Sequence, residues 1–231
     1  MKNRILTPQN QAGRPQDDLA GRIAQQSLAK RSAVYASEVR RLLDAGVETM
    51  RRRGTTSRPR VSDIVAEAGL SNEAFYRHFR SKDALVSAIL EDGAERLASY
   101  VAHQMEKAPT PQEQVRRWVE GVLSQAIDDE IAATTLAVLW NGGNLRQGLT
   151  SGTASMNAPL AGLLHGPFSA LGSARPGLDA SLATHAVIGM LADYLQQGTH
   201  PVRAEIDHIV GFCLATVSGR GRATSNSKGR R

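Results

Sequence analysis

Two short helical patterns flank Gly69, and this pair constrains the fold more than any other part of the sequence. In residues 61–68, Ile64, Val65 and Ala68 form one apolar stripe with helical spacing. Glycine adopts the left-handed conformation that commonly ends a helix, so Gly69 predicts a helix end at this point. The first pattern is therefore a short helix that stops at a tight turn.

The second pattern begins after Ser71, whose hydroxyl is suited to cap a helix, and Glu73 lies near the positive end of that helix. Phe75 and Phe79 are four residues apart, so they share one face and predict burial against the first helix. Two such helices joined by a short turn have helix-turn-helix geometry, although a generic helical hairpin gives the same spacing. The opposite face carries these side chains: Asn72, Glu73, Ala74, Tyr76, Arg77 and His78.

Residues 75–85 alternate aromatic core positions with basic side chains and end in Ser81, Lys82 and an apolar helix. This stretch resembles the DNA-binding domain of TetR family transcriptional regulators, and the resemblance extends from about Tyr35 to Leu90. It implies an all-α protein with an N-terminal three-helix helix-turn-helix (homeodomain-like) domain. The same resemblance implies a C-terminal helical ligand-binding and dimerisation domain.

Two positions depart from the pattern that this family usually shows. Arg60 stands where threonine is common, and Val65 stands where alanine is common at the crossing of the two helices. Arg60 is suited to contact a phosphate directly, but Pro59 and Arg60 also suit the end of a loop. Val65 predicts a slightly wider crossing.

The resemblance also implies which side chains contact DNA. Asn72, Glu73 and Ala74 would meet base edges, because an amide pairs with adenine, a carboxylate with cytosine and a methyl with thymine. Phosphates would be held by Tyr76, His78 and Lys82, with Arg77 and Arg60 as weaker candidates. The full set of expected DNA-binding positions is Arg60, Ser71, Asn72, Glu73, Ala74, Tyr76, Arg77, His78 and Lys82.

Charge is separated along the 231 residues, whose net charge is +6. Residues 1–60 carry +8, residues 61–82 are neutral, residues 83–217 carry −7, and residues 218–231 carry +5. A basic amino-terminal part on an acidic body suits a protein that places one end on a polyanion. The arginines at 51–53 are expected either to contact phosphate or to lie on a solvated helix face.

The sequence predicts four parts, divided by composition and apolar periodicity: a disordered basic arm (1–32), a helix-turn-helix domain (33–81), a helical effector-binding and dimerisation domain (82–217) and a disordered basic tail (218–231). Within the body, further helices are expected at about 111–127, 129–141, 153–171, 179–197 and 203–217. The glycines at 142, 143 and 148 predict a loop able to move.

Several kinds of chemistry lack a sequence signal. A single cysteine, Cys213, excludes an internal disulfide framework and is expected to be inert core. No converging metal ligands, cofactor motif or nucleophile-base set stands out, so we expect no metal, no cofactor and no enzyme activity. Without a long apolar run or a leader-like start, the protein is expected to be cytoplasmic and to have no membrane partner.

The body is expected to hold an apolar effector pocket, as the resemblance implies. The candidate lining residues are Trp118, Trp140, Met156, His165 and Phe168, although each also suits ordinary core packing. The last two helices are expected to form a homodimer interface, because Gly189, Ala192, Gly211 and Ala215 allow close helix approach. The same helices also suit the core of a monomer.

These patterns predict a transcriptional regulator that binds double-stranded DNA. The expected form is a repressor that holds a palindromic operator as a homodimer and releases it when an unknown small-molecule effector binds. The alternative is a helical small-molecule carrier or an enzyme with an incidental basic end.

Overall fold

The computed structural model describes residues 19–148 and 152–218, and all regular structure in these ranges is helical. The helices are α1 (Leu19–Arg53), α2 (Val61–Ala68), α3 (Asn72–His78), α4 (Lys82–Glu106), α5 (Pro111–Leu123), α6 (Asp129–Gly148), α7 (Gly152–Ala170), α8 (Pro176–Gln197) and α9 (Arg203–Ser218). A short 3-10 turn, Ser124–Ala126, follows α5. The predicted all-α class is confirmed.

Helix α1 begins at Leu19, which corrects the expectation that an arm without regular structure reaches residue 32. Leu19, Ile23 and Leu28 are exposed, so burial of an apolar face does not hold this segment in place. Its alanines, glutamines and basic residues nevertheless favour helix, and extending an existing helix costs far less than nucleating one. Residues 1–18 of the expected arm and 219–231 of the expected tail lie outside the described residues.

The chain divides into two compact units after Arg40, within α1. In the unit that begins at Arg41, the end of α1 packs with α2 and α3. Leu42, Met50, Ile64 and Phe75 are fully buried there. The rings of Phe75 and Phe79 lie 5.8 Å apart, so the two aromatics fix α3 by its inner face as predicted.

Helices α4, α5, α7, α8 and α9 enclose a second core in the same unit. Trp118 of α5, Phe168 of α7, Val187 of α8 and Cys213 of α9 are all fully buried within it. Burial raises the pKa of the Cys213 thiol to about 11. This cysteine therefore stays protonated at neutral pH, as expected of an inert core residue.

Helix α6 continues through Gly142 and Gly143 to Gly148, so the predicted loop at these glycines is wrong. A Cβ at Gly142 would lie 2.5 Å from Cδ1 of Leu90. The missing side chain thus lets α6 approach α4 closely. Glycine here serves helix packing and not a turn.

None of the described helices is both long and apolar enough to cross a lipid bilayer. Across residues 19–148 and 152–218, no group of His, Cys, Asp or Glu side chains is arranged to hold a metal ion.

Candidate nucleic-acid interface and internal cavity

The turn between α2 and α3 is stabilised by its own backbone conformation and by a side chain of α1. Gly69 has φ 61° and ψ 40°, the left-handed conformation predicted from the sequence. The amide of Leu70 donates to the carbonyl of Val65 at 2.9 Å and closes the end of α2. The guanidinium of Arg41 donates from Nη2 to the carbonyls of Ala68 at 2.5 Å and Gly69 at 3.0 Å.

Sequence reasoning missed Arg41, which lies 28 residues before Gly69. Its positive charge faces carbonyls at the negative end of the α2 dipole, where a cation is favourable. The available sequence signal was a basic residue on the predicted first helix. Which helix end this residue faces depends on tertiary contacts that sequence spacing does not reveal.

Arg60 precedes α2 and has an exposed side chain. Its backbone amide donates to Oδ2 of Asp63 at 3.0 Å, and Arg53 donates to the same oxygen at 2.7 Å. Asp63 therefore fixes the start of α2 and ties it to the end of α1. The guanidinium of Arg60 lies outside this arrangement, in a position that suits a phosphate contact.

Helix α3 presents a polar outer face. The hydroxyl of Ser71 accepts a bond from the amide of Ala74 at 3.1 Å, so the predicted cap forms. Asn72, Glu73 and Arg77 are exposed, and the side chain of Tyr76 is 58% exposed.

Ala74 does not share that face. It is only 4% exposed, because it lies on the same side of α3 as Phe75. Its methyl group is covered by protein and is not available to a thymine methyl, which corrects the expected base contact. Ser71 contributes to the site as the cap that orients α3.

The start of α4 adjoins the end of α3. Ser81 caps α4 by accepting from the amide of Ala84 at 3.1 Å. Lys82, the first residue of α4, and His78, the last of α3, are both half-buried. Their placement at the rim of the α3 face suits phosphate contacts, and their roles remain predictions.

The arginines that end α1 are engaged by carboxylates, so the structure favours an internal role over the expected phosphate contact. Arg51 donates to both oxygens of Glu48 at 2.8 Å, and Arg52 pairs with Glu67 of α2. The Arg51 pair lies within α1, whereas the pair of Arg52 with Glu67 and the bond from Arg53 described above fasten the end of α1 to α2. Hydrogen bonding to Glu48 raises the pKa of Arg51.

A cavity of about 800 Å³ lies between helices α1, α4, α6, α7 and α8. Its volume is in the range of pockets that hold drug-sized ligands. Apolar side chains such as Leu90, Leu139, Leu160 and Leu191 form much of its wall.

Among the described residues that line this cavity, Trp118, Trp140, His165 and Phe168 are absent, so their expected role in ligand binding has no support from its wall. Trp118 and Phe168 are fully buried in the core, where Nε1 of Trp118 donates to the carbonyl of Leu160 at 2.9 Å. His165 is exposed, and the side chain of Met156 lies outside the described residues. Trp118 and Phe168 were expected in the pocket because they are aromatic, but they fill the core, whereas the apolar wall of the cavity is mainly aliphatic.

Trp140 also lies away from the cavity and is 38% exposed. The guanidinium carbon of Arg58 lies 5.7 Å from the centroid of its indole ring, within the range of a cation–π contact. Arg58 belongs to the loop before α2. Trp140 therefore connects α6 to the helix-turn-helix segment.

Apolar side chains are exposed on the last two helices. Leu182 and Met190 of α8 are 54% and 38% exposed, and Phe212 of α9 is 52% exposed. Gly189, Gly211 and Ala215 are also exposed on these helices, whereas Ala192 is half-buried.

Comparison with known proteins agrees with this arrangement. Residues 42–89 match the family model for bacterial regulatory proteins, tetR family. No curated protein matches the sequence significantly.

Several solved structures share the fold. A putative TetR-family transcriptional regulator from Mesorhizobium loti is 16% identical with a TM-score of 0.59, and the match covers 79% of this chain and 96% of that chain. A putative transcriptional regulator from Pseudomonas aeruginosa is 24% identical with a TM-score of 0.57 over 78% and 88%. The transcriptional regulator FadR from Bacillus subtilis, solved in complex with stearoyl-CoA, is 20% identical with a TM-score of 0.53 over 78% and 97%.

The helix-turn-helix segment, the match to the family model and the all-helical body all indicate the same fold. Residues 42–89 therefore match the DNA-binding segment of the TetR family, and the described chain shares its fold with solved structures of TetR-family regulators.

Proposed function

We propose that this protein is a cytoplasmic transcriptional repressor that binds a palindromic operator as a homodimer and releases it when a small molecule enters the body. The observation that carries the proposal is the division of α3 into two faces. Phe75 and Phe79 are buried, while Asn72, Glu73 and Tyr76 face outward. A short helix with a polar outer face is the element that enters a major groove.

Asn72 and Glu73 are the proposed base-reading side chains, because an amide and a carboxylate discriminate adenine and cytosine in the major groove. Tyr76, Arg77, His78, Lys82 and Arg60 are the proposed phosphate contacts. Ala74 is left out because it is buried.

The exposed apolar side chains of α8 and α9 support the homodimer. One α3 helix reads only a few base pairs, and a two-fold symmetric dimer doubles the site by placing two such helices about one DNA turn (~34 Å) apart. Leu182 and Phe212 would pack against the same helices of a second copy, where small residues allow close approach.

The cavity supports release by a ligand. Helix α4 begins directly after the helix-turn-helix and also contributes Ile89, Leu90 and Leu97 to the cavity wall. A ligand that prefers one position of α4 would shift the equilibrium between DNA-competent and incompetent states by its difference in affinity. FadR from Bacillus subtilis, which shares this fold, was solved in complex with stearoyl-CoA, and this supports a small-molecule effector for this chain.

The test is selection of bound fragments from the source genome, followed by affinity measurement on the selected site. We expect one palindromic site to bind at least about a thousandfold more tightly than unrelated DNA at the same salt concentration. Equal affinity for all sequences would contradict the proposal and favour a carrier with an incidental basic end. Turnover of a bound small molecule would favour an enzyme instead.

A further inference from the structure

The cavity has an apolar interior and a charged mouth. Leu160 is 2% exposed and Leu191 is 5% exposed, so these walls lie deep in the protein. In contrast, the side chains of Asp44 and Glu130 are 61% and 78% exposed. A ligand that fills this cavity therefore places an apolar part inside and meets charged groups at the entrance.

The mouth is predominantly acidic. Among the described residues that line the cavity, the acidic ones are Asp44, Glu48, Asp92 and Glu130, and the basic one is Arg96. Hydrogen bonds from Arg51 lower the pKa of Glu48, so this carboxylate is ionised at neutral pH. Focused negative potential at an entrance with apolar walls attracts cations.

Arg96 is already engaged by carboxylates. Its Nη2 lies 2.8 Å from Oδ2 of Asp92 and 3.9 Å from Oδ1 of Asp44. An anionic head group would have to compete with both of them for this guanidinium, and it would face the remaining carboxylates. A cationic head group would share the four carboxylates with Arg51, Arg52 and Arg96, and it is favoured because the carboxylates outnumber these guanidinium groups.

We propose that the effector is an amphiphile with an aliphatic tail and a cationic head group, such as a quaternary ammonium or an amine. The tail packs against the leucine and isoleucine side chains of the cavity wall, and the head group binds the carboxylates at the mouth. This inference rests on the proposed ligand-released repressor and names the chemical class of its ligand.

The same head group would compete with Arg51. Arg51 lies 2.8 Å from Glu48 and 3.7 Å from Oε1 of Glu130, and both of these carboxylates line the cavity. The next residues, Arg52 and Arg53, hold α2 through its own carboxylates. A cation at the mouth thus acts on the end of α1 that fastens the helix-turn-helix.

Three probes with the same tail test the class: decyltrimethylammonium, decanol and decanoate, each below its micelle-forming concentration. Affinity is measured by calorimetry on the full chain without DNA. We expect decyltrimethylammonium to bind at least about tenfold more tightly than decanoate, with decanol between them, because several exposed charge contacts act together. The difference in affinity between decyltrimethylammonium and decanoate should become smaller as sodium chloride screens the charges at the mouth.

Equal or tighter binding of decanoate would overturn the cationic class, as would the absence of binding by all three probes. DNA release is measured separately by fluorescence anisotropy on the selected operator. Release by decanoate alone would reject the class but keep the ligand-released repressor. Failure to bind any operator would reject the repressor, while the calorimetry would still decide the class.

Variants of the mouth give a second test. Glu130→Gln should weaken decyltrimethylammonium binding about two- to fivefold and leave decanol unchanged, because it removes one exposed charge contact. The control is Glu95→Gln on α4, an exposed carboxylate outside the cavity lining, which should change neither affinity. In Asp92→Asn/Glu130→Gln the preference for the cation over decanoate should disappear. A preference retained in this double variant would overturn the proposal.

Discussion

The guanidinium of Arg41 donates a hydrogen bond of 3.0 Å to the carbonyl of Gly69, the residue that turns the chain from α2 into α3. The same nitrogen also donates to the carbonyl of Ala68. A single side chain of α1 thereby stabilises the turn on which the orientation of α3 depends.

Arg41→Ala should lower the free energy of unfolding by about 1 kcal/mol, because it removes charge-assisted hydrogen bonds from a partly exposed site. DNA affinity should fall while the slope of log affinity against log salt stays the same, since Arg41 contacts protein and not phosphate. Urea unfolding and anisotropy titrations at several salt concentrations check both effects. A reduced salt slope would show that Arg41 contacts DNA. In that case Arg41→Lys, which keeps the positive charge, should preserve much of the wild-type slope.

Gly69→Ala should destabilise the protein by about 1–2 kcal/mol, because φ is +61° and a side chain is strained in this conformation. The added Cβ would also lie 3.0 Å from Nη2 of Arg41. Gly162→Ala in α7 is the matched control, because its Cβ would meet no atom within 4 Å. That control should gain about 0.5–1 kcal/mol from helix propensity. Urea unfolding that gave both variants the same sign would reject this account.

Local signals explain why the helix-turn-helix was predictable. Gly69 ends α2, Ser71 caps α3, and the spacing of Phe75 and Phe79 fixes its buried face. Each of these effects acts within a few residues, so sequence spacing reveals it. The error at Ala74 is instructive, because a small residue carries no sequence signal for the face it occupies.

The cavity was not predictable for the opposite reason. Its wall comes from five helices that are distant in sequence, and Leu90, Leu139 and Leu160 have the same apolar character as packed core. Sequence periodicity shows that a side chain faces inward, but not whether another side chain fills the space beside it. Trp118 illustrates the difference, since it was expected in the pocket and instead fills the core.

Lys82→Ala and Asn72→Ala should separate phosphate contact from base reading. Lys82→Ala should weaken binding to operator and unrelated DNA alike and reduce the salt slope by about 1. Asn72→Ala should cost about 1–3 kcal/mol on the operator only, and relax the preference at one base pair of each half-site. Anisotropy titrations on the operator and on single-base variants distinguish them. Identical behaviour of the two variants would contradict the assigned roles.

Cys213 predicts a loss of stability at alkaline pH. Its pKa is about 11 in the folded protein because of burial, against about 8.5 for an unfolded cysteine. Its contribution is therefore fully present below pH of about 8.5 and is lost as pH rises towards 11, because only the unfolded chain releases the proton.

Urea unfolding at pH 8 and pH 10 tests this effect. The wild type should lose about 1–2 kcal/mol more than Cys213→Ala between the two pH values. Desolvation and a hydrogen bond to Glu205 raise the pKa of Tyr194, but that residue is present in both proteins and its effect cancels. A parallel loss in both proteins would mean that the thiol does not titrate differently on folding.

The proposed homodimer predicts a selective effect of charge on α9. Phe212 is 52% exposed, so Phe212→Glu should leave the fold of the single chain intact while burying a carboxylate at the interface of two chains. We expect the dimer to weaken at least about tenfold, as for a central aromatic of an interface. Operator affinity should fall with it, because two half-sites no longer bind together.

Ile127→Glu is the matched control for that variant. Ile127 is 53% exposed, almost the same as Phe212, but it lies between α5 and α6 and outside the two helices of the proposed interface. Sedimentation velocity should show monomers for Phe212→Glu at concentrations where Ile127→Glu and the wild type are dimers. Circular dichroism should give the same helix content for all three proteins. A dimer that persists in Phe212→Glu would place the interface elsewhere, since a buried unpaired carboxylate is too costly to be tolerated at its centre.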